Sequence, residues 1–365
     1  MKRDTLNTQE RLTLGLRELY QAYGYSQYKV GTFEEYDLYA RNKKFLESER
    51  VLTFSDQNGT LLALKPDVTL SIVKNAPNDG RTSKVCYTET VYRVPKNATG
   101  FREILQTGLE CIGRVDAFAR AEVLALAEKS LAMIGERYVL DVSDIGVLSG
   151  ILAEEPIGDA DCARLIAAVG EKNLHGLSAL CEELSISAQT QSLLQALVSI
   201  TGPLLETLER VEQLPLPEGS RSALLELKTI GTMLAQYGAK QVNLDFSVVN
   251  DMDYYNGLVF RGFVEGIPNG VLAGGRYDNL LARMGKSGEA IGFAVYVDQL
   301  SRLLGQRAEA DADTLILYDD GSDFSALIRK AESLRKKGVR VRVQREAESD
   351  LTSREVIRMD RGARA

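Results

Sequence analysis

Asp253-Tyr254-Tyr255-Asn256-Gly257-Leu258-Val259-Phe260, and then Gly274-Gly275-Arg276-Tyr277-Asp278, form the centre of the segment that decides the fold, Asp245 to Leu300. Glycine and aromatic residues alternate here with short apolar runs, the pattern of strands and tight turns that wall a pocket. The segment closes on Ala290-Ile291-Gly292-Phe293-Ala294-Val295-Tyr296-Val297-Asp298-Gln299-Leu300, which passes from strand-like into helical spacing. Gln299 places an uncharged side chain at that junction.

Upstream of this segment, strand character begins at Val242-Asn243-Leu244-Asp245-Phe246. Residues 145–239 before it are rich in Leu, Ala and Glu at helical spacing, with breaks at Pro156-Ile157-Gly158, Thr201-Gly202-Pro203 and Leu214-Pro215-Leu216-Pro217. They are expected to be a helical insertion or subdomain that carries none of the chemistry. Nearer the N-terminus, Leu12, Leu16, Leu19 and Tyr23 stripe a helix over residues 7–23 that Gly24 ends. Tyr25 to Val30 and Thr32 to Tyr36 read as extended. Val51 to Phe54 and Leu61 to Leu64 flank Asp56-Gln57-Asn58-Gly59, a hairpin signal.

Pro66 stops the second of these strands, and Asp67 and Thr69 can cap a helix from about Val68 to Asn75. Residues 83–94 and 101–112 form an antiparallel pair with a loop over one end, placing Arg93 before the loop and Arg102 after it. A helix over 116–134 and a strand over 138–142 follow. Beyond the charge-rich linker, residues 304–313, a strand, a helix and a second strand make a β-α-β module with a polar tail over its last fifteen residues.

At 365 residues, with 44% hydrophobic and 26% charged, the chain has room for one large domain and a small one. It holds no apolar run long enough to cross a bilayer, and the N-terminus shows no apolar signal core, so a cytoplasmic location without membrane attachment is expected. Cys86, Cys111, Cys162 and Cys181 are scattered, and the one histidine, His175, cannot build a histidine cluster, so neither a metal site nor a disulfide framework is expected. A net charge of −7 argues against a protein that grips nucleic acid along its backbone.

Four features taken together in order carry a resemblance: Lys65-Pro66-Asp67-Val68-Thr69, the Tyr92-Arg93 to Glu110 hairpin, Asp253-Tyr254-Tyr255-Asn256-Gly257, and Gly274-Gly275-Arg276-Tyr277-Asp278, closed by Ile291-Gly292-Phe293-Ala294. Over most of residues 7–300 the chain resembles the catalytic core of class II histidyl-tRNA synthetases. It is more closely similar to their non-synthetase paralogues, the regulatory subunits of ATP phosphoribosyltransferase. The resemblance implies an α+β fold: a class II aminoacyl-tRNA synthetase-like antiparallel sheet with flanking helices, spanning 1–303 with the helical insertion about 145–239. Residues 314–365 resemble only the opening β-α-β part of an anticodon-binding domain, which makes tRNA an unexpected partner.

The same resemblance assigns residues. Asp67 and Thr69 match the pair that receives the histidine α-amino group, and Glu110, Asp253, Tyr254, Tyr255, Gly274, Gly275 and Arg276 match the remaining histidine pocket. A helix cap at Asp67 and Thr69 and plain core packing of the tyrosines stand as the alternative. Arg93 matches the α-phosphate arginine, and with Arg102 it forms a vestigial phosphate site. Gln299 stands where the γ-phosphate arginine belongs, Tyr296 where a glycine belongs, and Asn250-Asp251 where the family carries Arg-Gly. Phe260-Arg261 replaces the usual Phe-Glu, and Gly31-Thr32-Phe33-Glu34 matches the dimer motif weakly. Adenylate formation builds charge on phosphoryl oxygens that fixed cations must stabilise, so these losses imply a chain without activation chemistry.

The expectation is therefore a non-catalytic regulatory subunit, without cofactor, in histidine biosynthesis. Its implied partner is a short-form ATP phosphoribosyltransferase catalytic subunit, with a homodimer of this chain inside a hetero-oligomer, a hetero-octamer, and histidine as ligand. A divergent amino-acid-activating synthetase and a non-catalytic paralogue binding another protein or tRNA are the rival readings.

Overall fold

The computed structural model describes residues 6–46, 50–94, 100–249, 254–302, 310–349 and 351–359. Asn250, Asp251 and Asp253 lie outside the described residues. The chain divides into two compact units, residues 1–304 and 305–365.

Helix α1 (Thr8–Ala22) starts at a capping box in which Asn7 and Glu10 exchange backbone-to-side-chain hydrogen bonds of 2.8 Å each. Its buried face is Leu12, Thr13, Leu16 and Tyr20. Strand β1 (Ser26–Gln27) follows, then β2 (Phe33–Glu35), α2 (Tyr36–Arg41), β3 (Thr53–Ser55) and β4 (Leu61–Leu64), with β2 and β3 both antiparallel to β4. This small sheet leaves Phe33, Phe54 and Leu61 exposed, the two rings meeting edge-on at 5.6 Å. Helix α3 (Thr69–Asn75) leads to the long pair β5 (Ser83–Arg93) and β6 (Arg102–Gly113), and α4 (Ala117–Ile134) and β7 (Tyr138–Asp144) complete the first half.

Helices α5 (Ile145–Leu152), α6 (Asp159–Gly170), α7 (Leu174–Glu183), α8 (Ala188–Ser199), α9 (Leu204–Glu212) and α10 (Glu218–Gln236) make up the helical stretch. Thr201-Gly202-Pro203, expected only as a break between helices, is strand β8, antiparallel to β9 (Val242–Asp245) at the edge of the main sheet. The stretch is no separate subdomain either. Its Leu165, Ile166, Leu177, Leu194, Leu208 and Leu227 belong to the same buried cluster as Leu109, Phe260 and Phe293 of the sheet. An amphipathic helix gains most of its stability by burying its apolar face against another element, and here that element is the sheet layer with α4.

Strands β10 (Leu258–Val264) and β11 (Leu272–Arg276), helix α11 (Asp278–Arg283) and strand β12 (Glu289–Tyr296) finish the core. The nine-stranded sheet runs β1-β5-β6-β12-β11-β10-β7-β9-β8. From β5 to β7 every neighbouring pair is antiparallel.

The second unit holds β13 (Ala312–Leu317), α12 (Phe324–Lys336), β14 (Val341–Gln344) and β15 (Ser353–Arg358). All three of its strands are parallel, in the order β14-β13-β15. Strand β15 corrects the reading of this region as a polar tail. Its side chains are mostly exposed on an edge strand, so no apolar alternation marks it in the sequence.

Candidate functional site

Side chains on a strand alternate between faces, so Arg102, Ile104, Gln106, Gly108 and Glu110 of β6 share one face. That face is the floor of a cleft of about 870 Å³, lined by Arg102, Ile104, Gln106 and Glu110 with Gly292, Ala294 and Tyr296 of β12 and Ala273 of β11. Two register rows explain why the floor is low. Glu110 lies opposite Gly292, which lies opposite Gly275; Gly108 lies opposite Ala294, then Ala273, then Arg261.

The glycines in these rows are steric requirements. A Cβ on Gly292 would lie 1.7 Å from a Glu110 carboxyl oxygen, one on Gly275 2.6 Å from the Tyr255 ring, and one on Gly108 2.8 Å from the Tyr87 hydroxyl. Each bare backbone position is thus roofed by a polar or aromatic side chain from elsewhere. Gly274 sits beneath them, where a Cβ would meet the Gly292 carbonyl and the Phe293 and Phe260 side chains.

Asp67 and Thr69 come to the cleft from the start of α3. Asp67 Oδ1 accepts a 2.7 Å hydrogen bond from Leu70 N, the helix-capping geometry, while Oδ2 lies 3.8 Å from an Arg93 nitrogen. Capping and cleft lining are therefore both true of this residue. Thr69 Oγ1 donates to Glu110 at 2.7 Å, and the Tyr277 hydroxyl donates to the other Glu110 oxygen at 2.6 Å. Glu110 is buried, and burial pushes its carboxyl up to about 8, against the pull of the Tyr277 and Thr69 hydrogen bonds and with a further push from Asp67. Tyr254 packs on Tyr255 at 4.7 Å and on Tyr277 at 5.8 Å between ring centroids, forming the aromatic wall.

The expected residues do not all converge. Arg276 is absent from the cleft lining; its guanidinium binds Asp278 and Glu289, each at 2.6 Å. Glu289 also holds Arg120 of α4 at 3.0 Å, and Arg120 reaches Glu226 of α10, so Arg276 belongs to an ion-pair network beneath the sheet. Arg93 is buried and donates from Nε to the Pro66 carbonyl at 2.6 Å. Arg102 lies opposite it across the hairpin, exposed at the cleft mouth. Tyr296 and Gln299 both line the cleft, and the Gln299 side-chain oxygen is buried without a hydrogen-bond partner.

The structure adds cleft residues that the sequence reading passed over. Gln106, 2% exposed, could have been found from the period-two face that runs from Arg102 to Glu110. Tyr87 reaches the cleft across the sheet with nothing local to mark it, and Tyr277, inside the Gly274 to Asp278 segment, reaches it from the turn after β11. Among the described residues no cluster of metal-ligating side chains occurs, and no helix is long and apolar enough to cross a membrane.

Comparison with known proteins fits this geometry. The model of the histidyl-tRNA synthetase family matches residues 2–300. The ATP phosphoribosyltransferase regulatory subunit of Caldanaerobacter subterraneus subsp. tengcongensis is 31% identical over 333 residues, covering 88% of this chain and 86% of its own. The chain belongs to the histidyl-tRNA synthetase family, among its ATP phosphoribosyltransferase regulatory subunits.

A crystal structure from Bacillus halodurans, described as an ATP phosphoribosyltransferase regulatory subunit/histidyl-tRNA synthetase, matches with a TM-score of 0.83 at 26% identity, over 97% of this chain and 94% of that one. A chain of the ATP phosphoribosyl transferase complex from Thermotoga maritima shares the fold, with a TM-score of 0.61 at 19% identity over 78% of this chain and 96% of that one. Gln299 presents a neutral amide to the cleft, and Tyr296 presents a phenol ring. Arg261, in the register row that starts at Gly108, puts a cation into the cleft.

Proposed function

We infer that this chain is the non-catalytic regulatory subunit of an ATP phosphoribosyltransferase, required by a short-form catalytic subunit for the first step of histidine biosynthesis. The observation that carries this reading is the split character of the cleft. Its acid corner of Asp67, Thr69 and Glu110 and its tyrosine wall are assembled, while Gln299 stands uncharged where phosphate chemistry needs a cation.

The cleft receives histidine, its ammonium facing the acid corner, and this is the route by which histidine feedback reaches the catalytic partner. Coupling of that kind requires histidine to bind one conformation of the assembly better than another. The chain pairs with a second copy through the first-motif region, inside a hetero-octamer, in the cytoplasm. Exposed Phe33, Phe54 and Leu61 on the β2-β4-β3 sheet give that contact an apolar face. The second unit is a truncated anticodon-type module whose first strand starts at Ala312, with no tRNA to read.

Asp67→Ala tests the ligand site. Removing the carboxylate is expected to weaken histidine binding about tenfold by calorimetry, the scale of one charge-assisted hydrogen bond. Loss of the cap lowers stability by about 1 kcal/mol in addition. Unchanged affinity with lowered stability would assign Asp67 to the cap alone.

A further inference from the structure

Glu110 differs from the other acids of the cleft in its surroundings. Its hydrogen-bond partners are two hydroxyls, Thr69 at 2.7 Å and Tyr277 at 2.6 Å. Among the described residues no lysine or arginine lies within ion-pair distance of it. The titratable groups that face it are Asp67 from the start of α3, Tyr87 from β5, Tyr254 from the turn before β10 and Tyr277 after β11. Among the described residues, Cys111 beside it on β6 and Tyr25 behind the sheet also interact with it. Arg93, the cation beside Asp67, donates to the Pro66 carbonyl and lies 3.8 Å from the Asp67 carboxylate.

Among the described residues, then, Glu110 has two hydroxyls for partners and no cation within ion-pair distance, and the acid beside it is of its own sign. Two carboxyls sharing a dry corner do not both ionise, and Asp67 has the guanidinium. A protonated Glu110 fits the contacts without strain, donating to one hydroxyl and accepting from the other. Gly292, whose Cβ would collide with the carboxyl, is what allows the acid to lie this deep on the sheet.

We propose that Glu110 carries a proton in the unliganded chain and gives it up to solvent when a cationic group seats beside it, so that ligand binding and proton release are one event. The proposal rests on the reading of the cleft as an amino-acid site, and it names the group that site demands: an ammonium, already protonated in solution, at its floor. The O–H bond of the carboxyl breaks, the proton passes to buffer, and the carboxylate remains paired with the ligand cation. Below the carboxyl's own titration near pH 8, each ligand bound releases close to one proton. Apparent affinity then rises about tenfold per pH unit towards that value and levels off above it.

The test is calorimetric titration of the full chain with L-histidine at neutral pH, in buffers of different ionisation enthalpy. Wild type is expected to release close to one proton more per site than Glu110→Gln, and the variant's affinity is expected to lose the rise with pH. A carboxyl-carbon NMR titration of the glutamate-labelled wild-type chain, with no ligand added, should show one resonance moving near pH 8. Equal proton release by wild type and variant would overturn the proposal, and so would glutamate resonances that all titrate in the ordinary acidic range. Absence of any histidine heat would instead overturn the histidine reading of the cleft, and the NMR titration would then still decide the state of Glu110.

Discussion

Gly292→Ala is expected to cost the protein about 3 kcal/mol of stability and to abolish measurable histidine binding. The added methyl would sit 1.7 Å from a Glu110 oxygen and 2.5 Å from the Leu109 carbonyl. The carboxyl end can swing, but the carbonyl is part of the β6–β12 ladder and cannot. Moving Glu110 would also break its bonds to Thr69 and Tyr277 and leave a buried acid without partners. Thermal unfolding and calorimetry read the two effects separately. A variant with wild-type stability and affinity would show that the cleft floor is not as close-packed as described.

Glu110→Gln is expected to change the dependence of stability on pH. The folded carboxyl titrates at about 8, against an ordinary value of 4.5, so between those values the native chain holds a proton that the unfolded chain has lost. Stability contributed by this group is therefore fully present below the ordinary value and falls as pH rises, by about 1.4 kcal/mol per unit over the window. Glutamine has no proton to lose, and the Thr69 and Tyr277 hydroxyls can turn to serve its amide. Near pH 5 the two proteins should be close in stability; at about pH 8.5 the variant should be the more stable by roughly 4 kcal/mol. Chemical denaturation across that range reads the difference. Parallel pH profiles would contradict a buried, uncharged Glu110.

Both effects depend on residues that the sequence marks unequally. The fold was legible where local chemistry and long-range pairing agree. Asn7 and Glu10 announce α1, Asn58-Gly59 announces the β3–β4 turn, and the apolar runs on either side of the 95–100 loop announce the hairpin that sets Arg93 opposite Arg102. Glu110 and Asp67 were legible through the family resemblance, and Gln106 through the alternation of β6.

The rest depends on what lies across a sheet. Strand β8 exists because β9 offers an edge to three residues, not because those residues favour a strand. The leucines of 145–239 announce helices, but only packing shows that they complete the main core. Arg276 follows Gly275 of the floor row, yet strand alternation carries its side chain to Asp278 and Glu289 and away from the cleft. Tyr277 reaches Glu110 over 167 residues of sequence separation, a contact no local pattern encodes.

The central claim is that this chain acts through a catalytic partner. Its most direct test is to mix the purified full chain with a short-form ATP phosphoribosyltransferase catalytic subunit and to follow phosphoribosyl-ATP formation from ATP and phosphoribosyl pyrophosphate. The two proteins are expected to co-elute, the rate to rise on mixing, and histidine to suppress the rise. Separate elution with an unchanged rate would contradict the account.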